Sequence, residues 1–282
     1  MNENPTPVDD RLSPDQSGRR RSDPYGLELC RPDLGCNSFH AICIFTATGF
    51  EFNLTLRLLD RVKVSAQDGS RQGQGRCGAN RVTVFQTGIG ARQLDGIMEA
   101  FHATRPRFDL ALVCGLAAGL APSLRVGDLV FYDRCVLAQD QAREFYVAPE
   151  WLRAIHILLG RRETAFVSCT GLTVDRVLIS ASEKAVLGRR FNAQAADMES
   201  FQILEAMQML SVPTLALRSI SDEVDQPLPD FNRAINEHGE LQAEGYLAFV
   251  LNKPFRTIRL ARGARKAARS LQRGLQRILL NC

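Results

Sequence analysis

Two acids, Asp197 and Glu199, flank a methionine in the stretch AADMESFQIL, residues 195–204, directly ahead of an apolar run. Such acids have an ordinary use: Asp is a preferred N-cap, and the helix dipole favours negative charge in the first turn. They also have a chemical use, because ionised carboxylates accept hydrogen bonds from a polar ligand. Asp222, in RSISDEVD, follows an apolar run and invites the same two readings. An Asp after a strand is commonly a turn former. Crowded by Ser221, Glu223 and Asp225 in a cleft, it would keep its proton to higher pH and suit a general acid. Glu51, in TATGFEF, is a third acid, either in the first turn of a helix or beside a ligand.

Two glycine-rich segments accompany these acids. In QTGIGAR, Thr87, Gly88, Ile89 and Gly90 form a turn ahead of a helix, either to let a backbone approach a ligand or simply to turn tightly. A dinucleotide fingerprint is not completed there, because Gln93 holds the third glycine position. In CGLAAGL, Gly115, Ala117, Ala118 and Gly119 serve either a ligand or close packing of a strand end. The four histidines lie far apart without metal-ligand spacing, so neither a metal nor a cofactor is expected.

These residues need elements to hold them. Short apolar runs such as FHAICIFTAT, FDLALVCGLAAG and VPTLALRSIS read as buried strands. Between them FEFNLTLRLLD, ASEKAVLGRRF and DMESFQILEAMQML read as helices, as does PEWLRAIHILLG. Residues 66–80, AQDGSRQGQGRCGAN, read as a loop. Apolar strands alternating with helices indicate an α/β fold, three layers deep (αβα), with a central mixed, largely parallel sheet. In such sheets ligands sit beyond the carboxyl ends of the strands, where TATGFEF, QTGIGAR, CGLAAGL and RSISDEVD all fall.

Of the 282 residues, 45% are hydrophobic and 23% charged, the balance of a globular protein. No apolar run approaches a membrane span, and the first residues lack the apolar core of a secretory signal. Eight scattered cysteines without a C-x-x-C pair read as reduced residues of a cytoplasmic protein. Residues 1–38, rich in Pro, Ser, Asp and Arg, are expected to be a disordered leader, and 39–252 the folded domain. Residues 253–282 are expected to be a basic amphipathic helix with nine Lys or Arg and no acid, leaving 26 basic against 31 acidic side chains elsewhere. The mildly acidic body argues against nucleic acid as a partner. The basic helix either packs on the body or lies on an anionic membrane surface, peripheral to its inner face.

TGIGARQ, CGLAAGLAPSLRVGDLV, ADMESF and VPTLALRSISDEVD, in this order, resemble the purine nucleoside phosphorylase / methylthioadenosine–adenosylhomocysteine nucleosidase superfamily over roughly residues 40–250. DMES, LPD shortly after the Ser-Asp pair and the Arg-rich C-terminal extension look most similar to the hopanoid-associated phosphorylases, which are implied to release adenine from an adenosylated hopanoid lipid. The resemblance implies a catalytic domain that cleaves the N-glycosidic bond of a purine nucleoside. The alternatives are methylthioadenosine or adenosylhomocysteine as substrate, and a non-catalytic, membrane-associated nucleoside-binding protein. By position, Glu199 would accept from the sugar hydroxyls, Met198 would pack on the sugar, and Asp197 stands where relatives often carry Glu. Asp222 would protonate, or hydrogen-bond to, N7 of the departing base, supported by Arg218 and Ser221. Thr87, Gly88 and Gly115 would line the sugar and base pocket, and Val177 and Leu178 would flank the base. Glu51 matches a water-positioning glutamate. Inorganic phosphate is the other candidate nucleophile, with Arg92 as its partner, although Leu116 stands where relatives with a phosphate site often have Ser. The resemblance further implies a homo-oligomer.

Overall fold

The computed structural model describes residues 40–67, 70–153, 166–230, 232–240 and 254–281. The expected leader and most of the expected helix at 149–160 lie outside them. Among the described residues, ten strands form one mixed sheet. Its centre is parallel: β1 (Ala41–Thr46) runs between β4 (Asn80–Gln86) and β5 (Leu110–Gly119), and β5 pairs in parallel with β10 (Thr214–Asp222). From β10 the ladder passes antiparallel to β6 (Leu129–Leu137), then parallel to β8 (Phe166–Thr173) and to β9 (Ala195–Asp197). Strand β9 returns antiparallel to β5, so five strands close a ring while β1, β4 and their neighbours extend as an open wing. Strand β7 (Asp140–Tyr146) pairs antiparallel with β6.

Alternation along the strands divides the core. In β1, Ile42 and Ile44 face one layer, and Cys43 and Phe45 the other. In β5, Leu110, Leu112 and Cys114 join the first layer, and Ala111, Val113 and Ala117 the second. Side chains of a strand alternate between faces, so an unbroken apolar run is what two buried faces require. Helices α2 (Leu94–Thr104) and α4 (Ser200–Met209) cover one face. The other is covered by α1 (Gly49–Leu56) and α5 (Pro254–Asn281); α3 (Ala181–Phe191) packs near the ends of β5 and β8.

The described residues of 66–80 are not a loop. They belong largely to a hairpin, β2 (Asp60–Gln67) with β3 (Ser70–Cys77), that edges the sheet beyond β4. The glycines that suggested a loop sit mid-strand because α1 and the turn after it press on them. A Cβ at Gly73 would lie 2.5 Å from Leu56, and one at Gly75 would lie 2.9 Å from Leu59. Glycine within a strand marks such close approach.

Helix α5 buries Ala268, Leu271, Leu275, Ile278 and Leu279 against the sheet. Asn80 Nδ2 donates to the Leu279 carbonyl at 2.9 Å and pins its last turn. Each fully buried Leu or Ile there contributes on the order of 1.5–3 kcal/mol. The opposite face exposes Arg259, Arg262, Arg265, Lys266, Arg269 and Arg273.

Candidate active site

The carboxyl ends of the parallel strands β1, β4, β5 and β10 point to one side, and a cavity of about 670 Å³ opens there. Its lining includes Glu51, Asp197, Met198, Glu199, Ser221 and Asp222, from three separate chain segments. Val177 and Leu178 also line it, held by Asn232, whose Oδ1 accepts from Val177 N at 2.8 Å.

Glu51 opens a helix and also lines the cavity. Its Oε2 accepts from Thr48 N at 3.0 Å while Thr48 Oγ1 accepts from Glu51 N at 3.2 Å, a capping box that starts α1. Its Oε1 accepts from Leu116 N at 2.8 Å, which turns the carboxylate toward the end of β5.

The two acids around Met198 divide the work. Asp197 Oδ1 accepts from the backbone N–H of Glu199 (3.1 Å) and Ser200 (3.0 Å) and from Thr173 Oγ1 (3.0 Å), so it secures the start of α4. Its Oδ2 lies 3.1 Å from Arg218 Nε. Glu199 Oε1 accepts from Gly90 N at 3.0 Å, and Oε2 lies 3.5 Å from Arg218 Nη2. Burial pushes the Glu199 carboxyl up to about 7; Asp197 and Glu51 add to the rise, and Arg218 and the Gly90 N–H oppose it.

Arg218 does not line the cavity. It lies beneath it, inside the strand ring, with Ser200 Oγ accepting from Nη2 at 2.8 Å. Burial opposes its charge, but Asp197 and Glu199 outweigh burial and hold it firmly protonated. Gly115 lies under the same group. A Cβ there would stand 2.3 Å from Arg218 Nη1 and 2.8 Å from Glu51 Oε1, so glycine is needed to let the two meet rather than to admit a ligand. Burial raises the neighbouring Cys114 thiol to about 12, which removes it as a nucleophile.

Four sequence expectations therefore shift. Gly115 supports the cavity from behind. Thr87 is fully buried, with Oγ1 bonded to the Thr46 and Gly88 carbonyls, and Gly88 (φ +72°) packs under the His238 carbonyl. Ile89 lines the cavity in their place, and its N–H donates to Gly239 O at 2.8 Å. Arg92 is exposed and donates to the Asn236 and Glu237 carbonyls, both at 3.1 Å. It holds segment 236–240 in place and stands apart from the lining, because the turn after β4 aims its side chain at those carbonyls. The arginines that do line the cavity are Arg71 and Arg176.

Asp222 is not crowded by carboxylates. Glu223 turns away, its Oε1 accepting from Val126 N at 3.2 Å. Asp222 Oδ1 instead accepts from Ser221 Oγ at 2.6 Å, and Oδ2 pairs with Lys184 Nζ. Lys184 and Arg71 escaped the sequence reading. A lysine within ASEKAVLGRRF is indistinguishable from a solvated helical lysine, and Arg71 stood in the stretch read as a loop. Neither carried a signal.

A ring of strands with an open wing, acids at the carboxyl ends and a cavity between them define a small-molecule site in an α/β protein. The chain belongs to the Phosphorylase superfamily, whose family model matches residues 41–251. It is 27% identical over 205 residues to a 5'-methylthioadenosine/S-adenosylhomocysteine nucleosidase of Haemophilus ducreyi, covering 66% of this chain and 86% of that protein. The Staphylococcus saprophyticus nucleosidase is 27% identical over 167 residues, covering 54% and 73%. Among solved structures, the Neisseria meningitidis nucleosidase in complex with methylthio-immucillin-A superposes with a TM-score of 0.68 at 17% identity, covering 86% of this chain and 99% of that one. Helicobacter pylori futalosine hydrolase superposes with a TM-score of 0.62 at 18% identity, covering 84% and 97%. At these identities the superpositions establish the fold.

Proposed function

We propose that the protein is an enzyme that cleaves the N-glycosidic bond of a purine nucleoside, with adenine as the base and water as the nucleophile. The observation that carries this reading is that Glu51, Glu199 and Asp222 line one cavity although they lie far apart in sequence. Breaking a ribosyl C–N bond builds positive charge on the sugar and negative charge on the base. Glu199 accepts from the ribose hydroxyls and Met198 packs on the sugar, so the carboxylates face the developing cation. Asp222 delivers a proton to N7 and relieves the charge on the leaving base. Glu51 orients the attacking water. Proton transfer and electrostatics suffice, so no cofactor enters.

Water is favoured over phosphate by charge. Arg218 is already engaged by Asp197 and Glu199, and Glu51 would repel a phosphate dianion next to it. Phosphorolysis is the second reading, supported by Arg71 and Arg176 in the lining. Incubation with adenine nucleosides, with and without inorganic phosphate, separates them: free ribose products support hydrolysis, and ribose 1-phosphate overturns it.

The reading extends to an apolar 5′ substituent, methylthio or lipid-linked as in an adenosylated hopanoid, supported by Leu116, Val174 and Leu228 in the lining and by Phe50, 53% exposed. Comparing methylthioadenosine, adenosylhomocysteine and an adenosylated lipid in the same assay tests it. Equal or faster turnover of unsubstituted adenosine contradicts it. Five buried free thiols among the described residues support a cytoplasmic setting. Among the described residues no helix is long and apolar enough to cross a membrane. The apolar face of α5 is buried, so contact with an anionic membrane would be electrostatic, through its cationic face. A homo-oligomer is part of the same reading, and light scattering tests it; a monomer at assay concentration contradicts it.

A further inference from the structure

Lys184 is fully buried. Lysine is almost never so unless paired. Its Nζ uses three donors: to Asp222 Oδ2, to the Gln226 carbonyl at 2.8 Å and to the Glu223 carbonyl at 3.1 Å. The helix does not call for it. Ser180 caps α3 by accepting from Glu183 N at 3.1 Å, which puts Lys184 at the first turn, where the dipole disfavours a cation. A neutral donor would satisfy the two carbonyls. What requires the charge is Asp222.

The other charged groups around the pair are engaged elsewhere. On α3, Glu183 pairs with Arg176. After β10, Glu223 faces Val126 N and Arg125, and Asp225 is exposed. Before β6, Asp128 accepts from Arg125 N at 2.7 Å. From α5, Lys266 is exposed and lies beside Gly127. Strand β5 lines the cavity with Leu116, Ala117 and Ala118, none of them charged.

We propose that Lys184 is the positioning residue and proton store for Asp222, so that the pair, rather than the carboxyl alone, supplies the proton to the leaving base. This rests on the reading of the cavity as a purine nucleoside site. As the base binds and water leaves, an Nζ–H bond breaks and its proton passes to Asp222. The Asp222 O–H bond then breaks as N7–H forms, and the glycosidic electron pair goes to the base. Lysine is left neutral and Asp222 ionised. The attacking water releases one proton, and the pair regains one from solvent after the base departs.

A carboxyl alone keeps its proton only in the carboxylic-acid range; a lysine–carboxylate pair keeps one proton into the amine range. The test is kcat/KM for adenine release against pH for the wild type, K184M and K184Q, with folding checked by circular dichroism. The wild type is expected to lose activity only above about pH 8. In both variants the alkaline limb should move down by at least about one pH unit, while the activities converge with wild type at the acid end. A uniform fall in kcat with the limb unmoved would mark Lys184 as merely structural and overturn the proposal. Should neither variant fold, a wild-type alkaline limb below about pH 8 overturns it alone. A wild type that releases no base from any purine nucleoside defeats the site reading and, with it, the proposal.

Discussion

Arg218 lies beneath the cavity floor with Nε 3.1 Å from Asp197 Oδ2, both side chains almost completely buried inside the ring of strands. Asp197 in turn accepts from the first N–H groups of α4. The guanidinium therefore sets where α4 begins and, through it, where Glu199 stands.

Removing that charge should unfold as well as inactivate. Arg218→Met would leave Asp197 and Glu199 buried without their cation, at a cost of about 3–5 kcal/mol. Urea denaturation should show the midpoint falling with m unchanged. A loss under about 1 kcal/mol would mean that water replaces the guanidinium.

Gly115→Ala should damage activity more than stability. The added methyl would fall 2.3 Å from Arg218 Nη1 and 2.8 Å from Glu51 Oε1, so one of them must move. A displacement of about 1 Å at a positioned group costs on the order of 100-fold in rate. Steady-state kinetics beside a thermal melt would check this. Unchanged kcat/KM would mean that Glu51 does not position the nucleophile.

Glu199 makes stability and activity depend on pH in opposite directions. Its folded-state value, about 7, lies above its ordinary value of 4.5, so between these the folded state binds the extra proton. Its contribution to stability is complete below about 4.5 and is lost as pH rises through about 7. In the proposed reaction the ionised form faces the sugar cation, so the acid limb of kcat/KM should fall near pH 7. Thermal melts of the wild type and Glu199→Gln across this window should diverge. Parallel curves would contradict the assignment.

The sequence revealed the frame more readily than the floor of the site. Strands β1, β5 and β10 are legible because burial on both faces demands unbroken apolar runs. Glu51, Glu199 and Asp222 are legible because each follows such a strand or opens a helix. The hairpin of β2 and β3 was hidden because Gly73 and Gly75 answer to Leu56 and Leu59, which lie earlier in the chain. Gly115 and Gly88 were singled out as residues facing a ligand, yet each makes room for a group of the chain itself, Arg218 in one case and His238 O in the other. Lys184 was invisible because its partner lies 38 residues away and only the fold joins them.

Helix α5 offers a separate check. Leu275→Ala should cost about 2–5 kcal/mol, because Leu275 is buried under the sheet. Sedimentation with anionic vesicles should show binding that fades as salt rises, since the exposed face of α5 carries only cations. Salt-independent binding would mean that its apolar face leaves the body.

The decisive measurement is adenine release by Asp222→Asn compared with wild type, together with the affinity of each for the same nucleoside. Losing the proton donor should slow turnover by about 100- to 10,000-fold while affinity changes only a few-fold. An Asn variant that releases adenine at the wild-type rate would show that Asp222 does not serve the leaving base, and the roles assigned around this cavity would fall together.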